Sequence, residues 1–73
     1  MTTKLLGRPT IVLRLVGRED GSILKLFRRA VMTLVLSGVV TEKELWDFCN
    51  EAENHWDSWE NLIDYIREWM VIE

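Results

Sequence analysis

Residues 22–36 read SILKLFRRAVMTLVL, the most apolar stretch of the chain and one without Gly or Pro. Steps of 100° place Ile23, Leu24, Leu26, Phe27, Ala30, Val31 and Leu34 on one broad arc, with Lys25, Arg28 and Arg29 opposite, so the stretch predicts a central amphipathic helix. Beyond Arg29 the outer face changes character. Met32, Val35 and Leu36 take the sector that the basic residues hold one and two turns earlier, and the last two turns call for cover on nearly all sides.

Working outward toward the N-terminus, Gly17 to Gly21 (GREDG) is turn chemistry, and Asp20 or Ser22 can accept the first amide hydrogens of the helix. Before it, residues 10–16 (TIVLRLV) are rich in β-branched side chains, with Ile11, Leu13 and Leu15 on one face and Val12, Arg14 and Val16 on the other. This pattern predicts a strand, entered from the extended Arg8-Pro9 pair. Leu5 and Leu6 suggest a second short strand, in a lead-in of residues 1–9 expected to be flexible.

Toward the C-terminus, Ser37-Gly38 supplies the helix stop, Gly38 taking the left-handed position. Thr41-Glu42-Lys43-Glu44 is a capping box that opens a second helix running to about Glu53. Its buried arc is Leu45, Phe48, Cys49 and Ala52, while Trp46 falls at the rim beside Asn50 and Glu53. Asn54-His55-Trp56 breaks the pattern, and Asp57-Ser58-Trp59-Glu60 caps a third helix over about residues 58–69. Its apolar arc is Trp59, Leu62, Ile63, Ile66, Trp69 and Met70, opposite a row of Glu60, Asp64 and Glu68. The closing Met70-Val71-Ile72-Glu73 is short and β-prone, suited to pair with the strand at residues 10–16. The fold expected is α+β in a single domain over residues 1–73: one or two N-terminal strands, three helices with a central apolar helix, and a short C-terminal strand.

The chain has 73 residues, 48% hydrophobic and 29% charged, with four Trp. That length is near the lower limit for one core without disulfides or metal, and it leaves no room for a separate catalytic lobe. A single cysteine, Cys49, excludes an intrachain disulfide or a cysteine metal cluster. The first ten residues carry too short an apolar run for a signal peptide, and Lys25, Arg28 and Arg29 interrupt the only long apolar stretch. A soluble, cytoplasmic protein is expected. Net charge is −3, but residues 1–40 sum to +5 and residues 41–73 to −8.

Two helices about Gly38 invite comparison with a helix-turn-helix, whose second helix would enter the major groove. Here that helix carries Glu42, Glu44, Asp47, Glu51 and Glu53 against Lys43 alone, whereas phosphate contacts require cations. Direct binding of nucleic acid is not expected. Paired carboxylates such as Glu60 and Asp64, or Asp47 and Glu51, lie on solvent arcs without the burial that raises a carboxyl pKa for acid–base work. His55 has no second His and no HExxH spacing, and reads as a loop residue near the Trp cluster. The loop at Gly17 to Gly21 lacks the GK[ST] ending of a phosphate loop. No catalytic residue, metal ligand or cofactor site is expected, and an enzyme would have to build a concave site near His55.

Two features point toward interaction. Glu60, Asp64 and Glu68 repel one another at i,i+4; either Arg67 and solvent screening offset this, or the acidic half offers a negative surface to a basic partner. Trp46, Trp56 and Tyr65 lie at arc margins or in the loop, where they serve either as core edges or as a binding hot spot.

From about Leu13 onward the chain resembles a family of short uncharacterised proteins encoded mainly by bacteriophages and mobile elements. The matching residues are Gly17, Asp20-Gly21, Gly38-Val39, Phe48, Glu51-Ala52, Leu62-Ile63 and Glu68-Trp69. Where the family has a compact Gly-Asp-aromatic turn before the third helix, this chain has the longer stretch 53–59 with two Trp. The resemblance implies a phage-like setting, in which small acidic proteins act by binding host machinery, and it transfers no functional residues. The function expected is therefore that of a non-enzymatic interaction protein, a phage-type inhibitor of a host defence or nucleic-acid-binding protein. Its binding residues would be Trp46, Glu51, Trp56, Glu60, Asp64 and Glu68. A homodimeric structural or adaptor protein, joined through Met32, Val35 and Leu36, is the alternative.

Overall fold

The structure, a computed structural model, describes residues 7–15 and 22–73. The expected strand at Leu5 and Leu6, and the turn at Gly17 to Gly21 with Asp20, lie outside the described residues. In chain order the elements are β1 (Val12–Leu13), α1 (Ile23–Ser37), α2 (Glu42–Ala52), a 3-10 turn (Glu53–His55), α3 (Trp59–Ile66) and β2 (Val71–Ile72). This is the expected α+β arrangement, with a strand at either end of the described chain and the apolar helix between.

Helix boundaries follow from local chemistry. Ser22 caps α1, its hydroxyl accepting from the Lys25 amide at 3.3 Å, and Gly38 closes the helix at φ 67°, a conformation that costs a side-chain-bearing residue free energy. Thr41 and Glu44 form the reciprocal capping box of α2. The Thr41 hydroxyl accepts from the Glu44 amide at 3.2 Å, and the Glu44 carboxylate accepts from the Thr41 amide at 2.9 Å. Ser58 caps α3 by accepting from the Asn61 amide, while both Asp57 carboxylate oxygens accept from the Asn61 side chain at 2.9 Å.

The third helix is shorter than the expected span of about residues 58–69. After Ile66 the chain tightens into turns in which the Glu68 amide donates to the Tyr65 carbonyl and the Trp69 amide to the Ile66 carbonyl. This tightening turns Trp69 and Met70 back into the core and aims the chain at β1.

β1 and β2 form a two-stranded parallel sheet in which Val12 faces Val71 and Leu13 faces Ile72. The pairing extends past both strands, since the Val71 amide donates to Ile11, the Glu73 amide to Leu13 and the Leu15 amide to Glu73. The alternation expected of residues 10–16 holds through Leu15: Ile11 and Leu13 are buried and Leu15 half-buried, whereas Val12 and Arg14 are exposed. An isolated pair of strands has little stability of its own. Ile11 and Leu13 are held instead by their burial in the same core as α1.

That core contains Ile11, Leu13, Leu26, Ala30, Leu34, Phe48, Ala52, Leu62, Ile63, Tyr65, Ile66, Trp69 and Met70. α1 packs on β1, α2 and α3 together. Phe48 is its aromatic centre, with ring centroids 6.1 Å from Phe27 and 5.3 Å from both Tyr65 and Trp69.

Two expectations are corrected. Leu24, assigned to the buried arc of α1, is 54% exposed, because it sits on the flank of a helix whose cover is narrower than its apolar arc. Tyr65, assigned to a margin, is buried, because its position on α3 turns it toward α2, where its hydroxyl donates to the Phe48 carbonyl at 3.0 Å.

Candidate interaction surface

The acids of α2 gather along one seam. On α2, Glu44, Asp47 and Glu51 recur at i, i+3 and i+7 and so share one side of the helix. Together with Asn50 and the buried Trp69 they line an open cleft of about 310 Å³. Tyr65 supplies the link to α3. Burial pushes its phenol well above the usual range, and the negative charges of Glu51 on α2 and of Glu68 in the turn after α3 push it further in the same direction. Glu60 and Asp64 are exposed on α3.

Not every charge on this surface is available to a partner. The Arg8 guanidinium donates to the Glu44 carboxylate at 2.7 Å and to the Val39 carbonyl at 3.4 Å. With the Thr41 amide also donating to it, the Glu44 carboxyl is held down at about 2, against an ordinary value of 4.5. Because the folded value lies below the unfolded one, this stabilisation is fully present above about pH 4.5 and is lost as the pH falls toward 2. Arg8→Ala is therefore expected to lower the denaturation midpoint at neutral pH, and to lose less further stability across that acid window than the parent chain does. Urea titrations at several pH values check this.

Two other ion pairs trim the charge. Arg67 reaches Asp64 at 3.8 Å on the exposed face of α3, and Arg14 reaches Glu73 at 3.4 Å across the sheet. The cations that meet acids of the C-terminal half in these pairs come from residues 8 and 14 and from α3 itself, while Arg29 donates to the Arg14 carbonyl at 3.0 Å.

The residues expected to bind a partner fall into two groups. Glu51 lines the cleft, Glu68 is half-buried in the turn after α3, and Glu60 and Asp64 are exposed on α3, where Glu60 precedes Tyr65 by five positions and so lies about 140° away from it. Trp46 is 63% exposed, but it precedes Glu51 by five positions and so lies about 140° away around α2. Trp56 is 38% exposed and packs edge-to-face on Phe27 at 5.2 Å, which fastens it against α1. Met32, Val35 and Leu36 are exposed on α1 at 54%, 49% and 78%.

The contribution of Trp69 to the acidic cleft was not anticipated from sequence. The i, i+3, i+7 spacing of Glu44, Asp47 and Glu51 is legible on its own, but the tightened turn that carries Trp69 to them is not.

His55 ends the 3-10 turn with its ring stacked on Tyr65, centroids 4.8 Å apart and planes at 10°. Burial raises the pKa of the half-buried Cys49 thiol, which keeps it protonated and unreactive. Among the described residues no group of three His, Cys, Asp or Glu side chains is placed to hold a metal ion, and no helix is long and apolar enough to cross a membrane. Comparison with protein-family models, with curated proteins and with solved structures finds no match to the chain.

Proposed function

We propose that the chain is a non-enzymatic protein-binding module that seats a basic segment of a partner protein on the acidic seam of α2, where the turn after α3 meets it. The observation that carries this reading is the cleft in which Asp47 and Glu51 of α2 stand beside the indole of Trp69. Acids carried on helices and on a hydrogen-bonded turn present a fixed field, which speeds encounter with a basic partner and rejects an acidic one. A Lys or Arg side chain entering the cleft would meet carboxylates and an indole together.

The carboxylates also speak against acid–base chemistry. Among the described carboxylates those whose pKa moves, Glu44 and Asp57, both move down, the first through Arg8 and the second through Asn61, whereas a general acid needs a raised value. In keeping with the phage-type resemblance, the partner favoured is a basic host protein of a defence or nucleic-acid-binding complex, whose exposed Lys and Arg the seam would occupy.

Immobilised protein is expected to retain a basic protein from bacterial lysate at low salt and to release it as salt rises. Glu60→Lys combined with Asp64→Lys is expected to weaken that binding about tenfold, since rim charges act on association and on its salt dependence. Retention of no basic protein, or retention indifferent to both salt and charge reversal, would overturn the proposal.

A further inference from the structure

We propose that a second copy of the chain covers the outer face of α1, with the two α1 helices packed antiparallel about a two-fold axis near Met32. This surface is separate from the acidic seam, so either assignment can fail without the other.

The face is both apolar and uncovered. Leu24 and Met32 are each 54% exposed, Val35 is 49% and Leu36 is 78%, all on one helix of 15 residues. Arg28, Met32, Val35 and Leu36 follow one another at i, i+4, i+7 and i+8, the spacing of a single seam along a helix. Among the described residues no segment lies over this seam, because the contacts of the helix with β1, α2 and α3 occupy the opposite side, where Leu26, Ala30 and Leu34 are buried.

Charge selects the occupant and its direction. A helix favours acids at its N-terminal end and cations at its C-terminal end. α1 has no acid in its first turn and no base in its last. Its cations, Lys25, Arg28 and Arg29, all sit in the N-terminal half. Two antiparallel copies correct each other. A two-fold axis at Met32 sets residue 28 of one copy against residue 36 of the other, so that the Arg28 stem covers Leu36 and its guanidinium lies beside the carbonyls of the partner's last turn. Parallel packing would instead stack Arg28 on Arg28. An isologous contact of this kind closes on itself and leaves no free apolar end.

The seam spans only two to three helical turns, below the roughly 800 Å² per partner of a standard interface, so a dissociation constant on the order of micromolar or weaker is expected. Sedimentation velocity across a concentration series should show monomer passing to dimer. Leu36→Asp should weaken the dimer at least tenfold while leaving the far-ultraviolet circular dichroism unchanged, because Leu36 lies outside the core. Direction is read from a spin label at Leu24→Cys in a Cys49→Ser background. Residue 24 stands eight positions from the axis, so at a rise of 1.5 Å per residue antiparallel copies separate the two labels by about 24 Å along the helices, against about 10 Å for parallel ones. A chain that stays monomeric at high micromolar concentration, a dimer indifferent to Leu36→Asp, or labels at the short distance would each overturn the proposal.

Discussion

Phe48→Ala is expected to lower stability by about 3–5 kcal/mol, the range for removing a fully enclosed aromatic ring. Phe48 is 0% exposed, and its ring is the common neighbour of Phe27, Tyr65 and Trp69, which come from α1, α3 and the turn after α3. Two of those rings are themselves fastened, Phe27 by Trp56 and Tyr65 by His55, which limits how far they can move in to fill the space. The Phe48 carbonyl also accepts the Tyr65 hydroxyl, so a shift of α2 would loosen a polar link through the core. A domain of 73 residues has a total stability on the order of 4–11 kcal/mol, at roughly 0.05–0.15 kcal/mol per residue. Much of it would go with this ring. Urea denaturation followed by tryptophan fluorescence should show a large fall in midpoint or no folded baseline at all, and Phe48→Leu should retain a cooperative transition.

Leu34→Ala is expected to cost about 2–5 kcal/mol, whereas Leu36→Ala should fall within about 0.5 kcal/mol of the parent chain when measured at high dilution. The two leucines are two residues apart on the same helix. Leu34 is 0% exposed and shares the core with Leu26 and Ala30, so truncation leaves a cavity. Leu36 is 78% exposed, so truncation removes surface that water already reaches. Thermal unfolding of the two variants side by side separates a residue that holds the fold from one that is exposed to other molecules. Equal losses would mean that the C-terminal turn of α1 is covered in solution even at dilution.

What could be foreseen from the sequence was what is decided within a few residues. Ser22, Gly38, the Thr41 and Glu44 box, and Ser58 each satisfy orphan backbone groups of their own helix, and their positions are readable because capping is local. The pairing of the C-terminal strand with residues 10–16 was also foreseeable, since an apolar β-prone end needs a partner and one strand was on offer. Tyr65 was misplaced because a wheel shows which way a side chain leaves its helix but not how closely the neighbouring helix approaches. α3 ends early for a reason that lies in tertiary packing: β2 has to reach β1, and the tightened turn after Ile66 delivers it there. The ion pair of Arg8 with Glu44 joins segments far apart in the chain, and no local pattern announces it. Of the candidate surface, the spacing of Glu44, Asp47 and Glu51 on α2 is legible, while the arrival of Trp69 at their cleft depends on that same turn.

The register that sets residue 12 against residue 71 has a consequence for the order of events during synthesis. The helical hairpin of α1 and α2 can close as soon as its own residues are made, because its contacts are near in sequence. β1 cannot. Its backbone donors and acceptors wait until Val71 and Ile72 have emerged, and the intervening chain must then be closed at the entropic cost of a long loop. Until that moment Ile11 and Leu13 have no sheet partner, and the nascent chain presents both an unpaired strand and an uncovered flank of α1. Folding of this small domain is thus gated by its last turn, and a ribosome paused before Trp69 would hold an incomplete core.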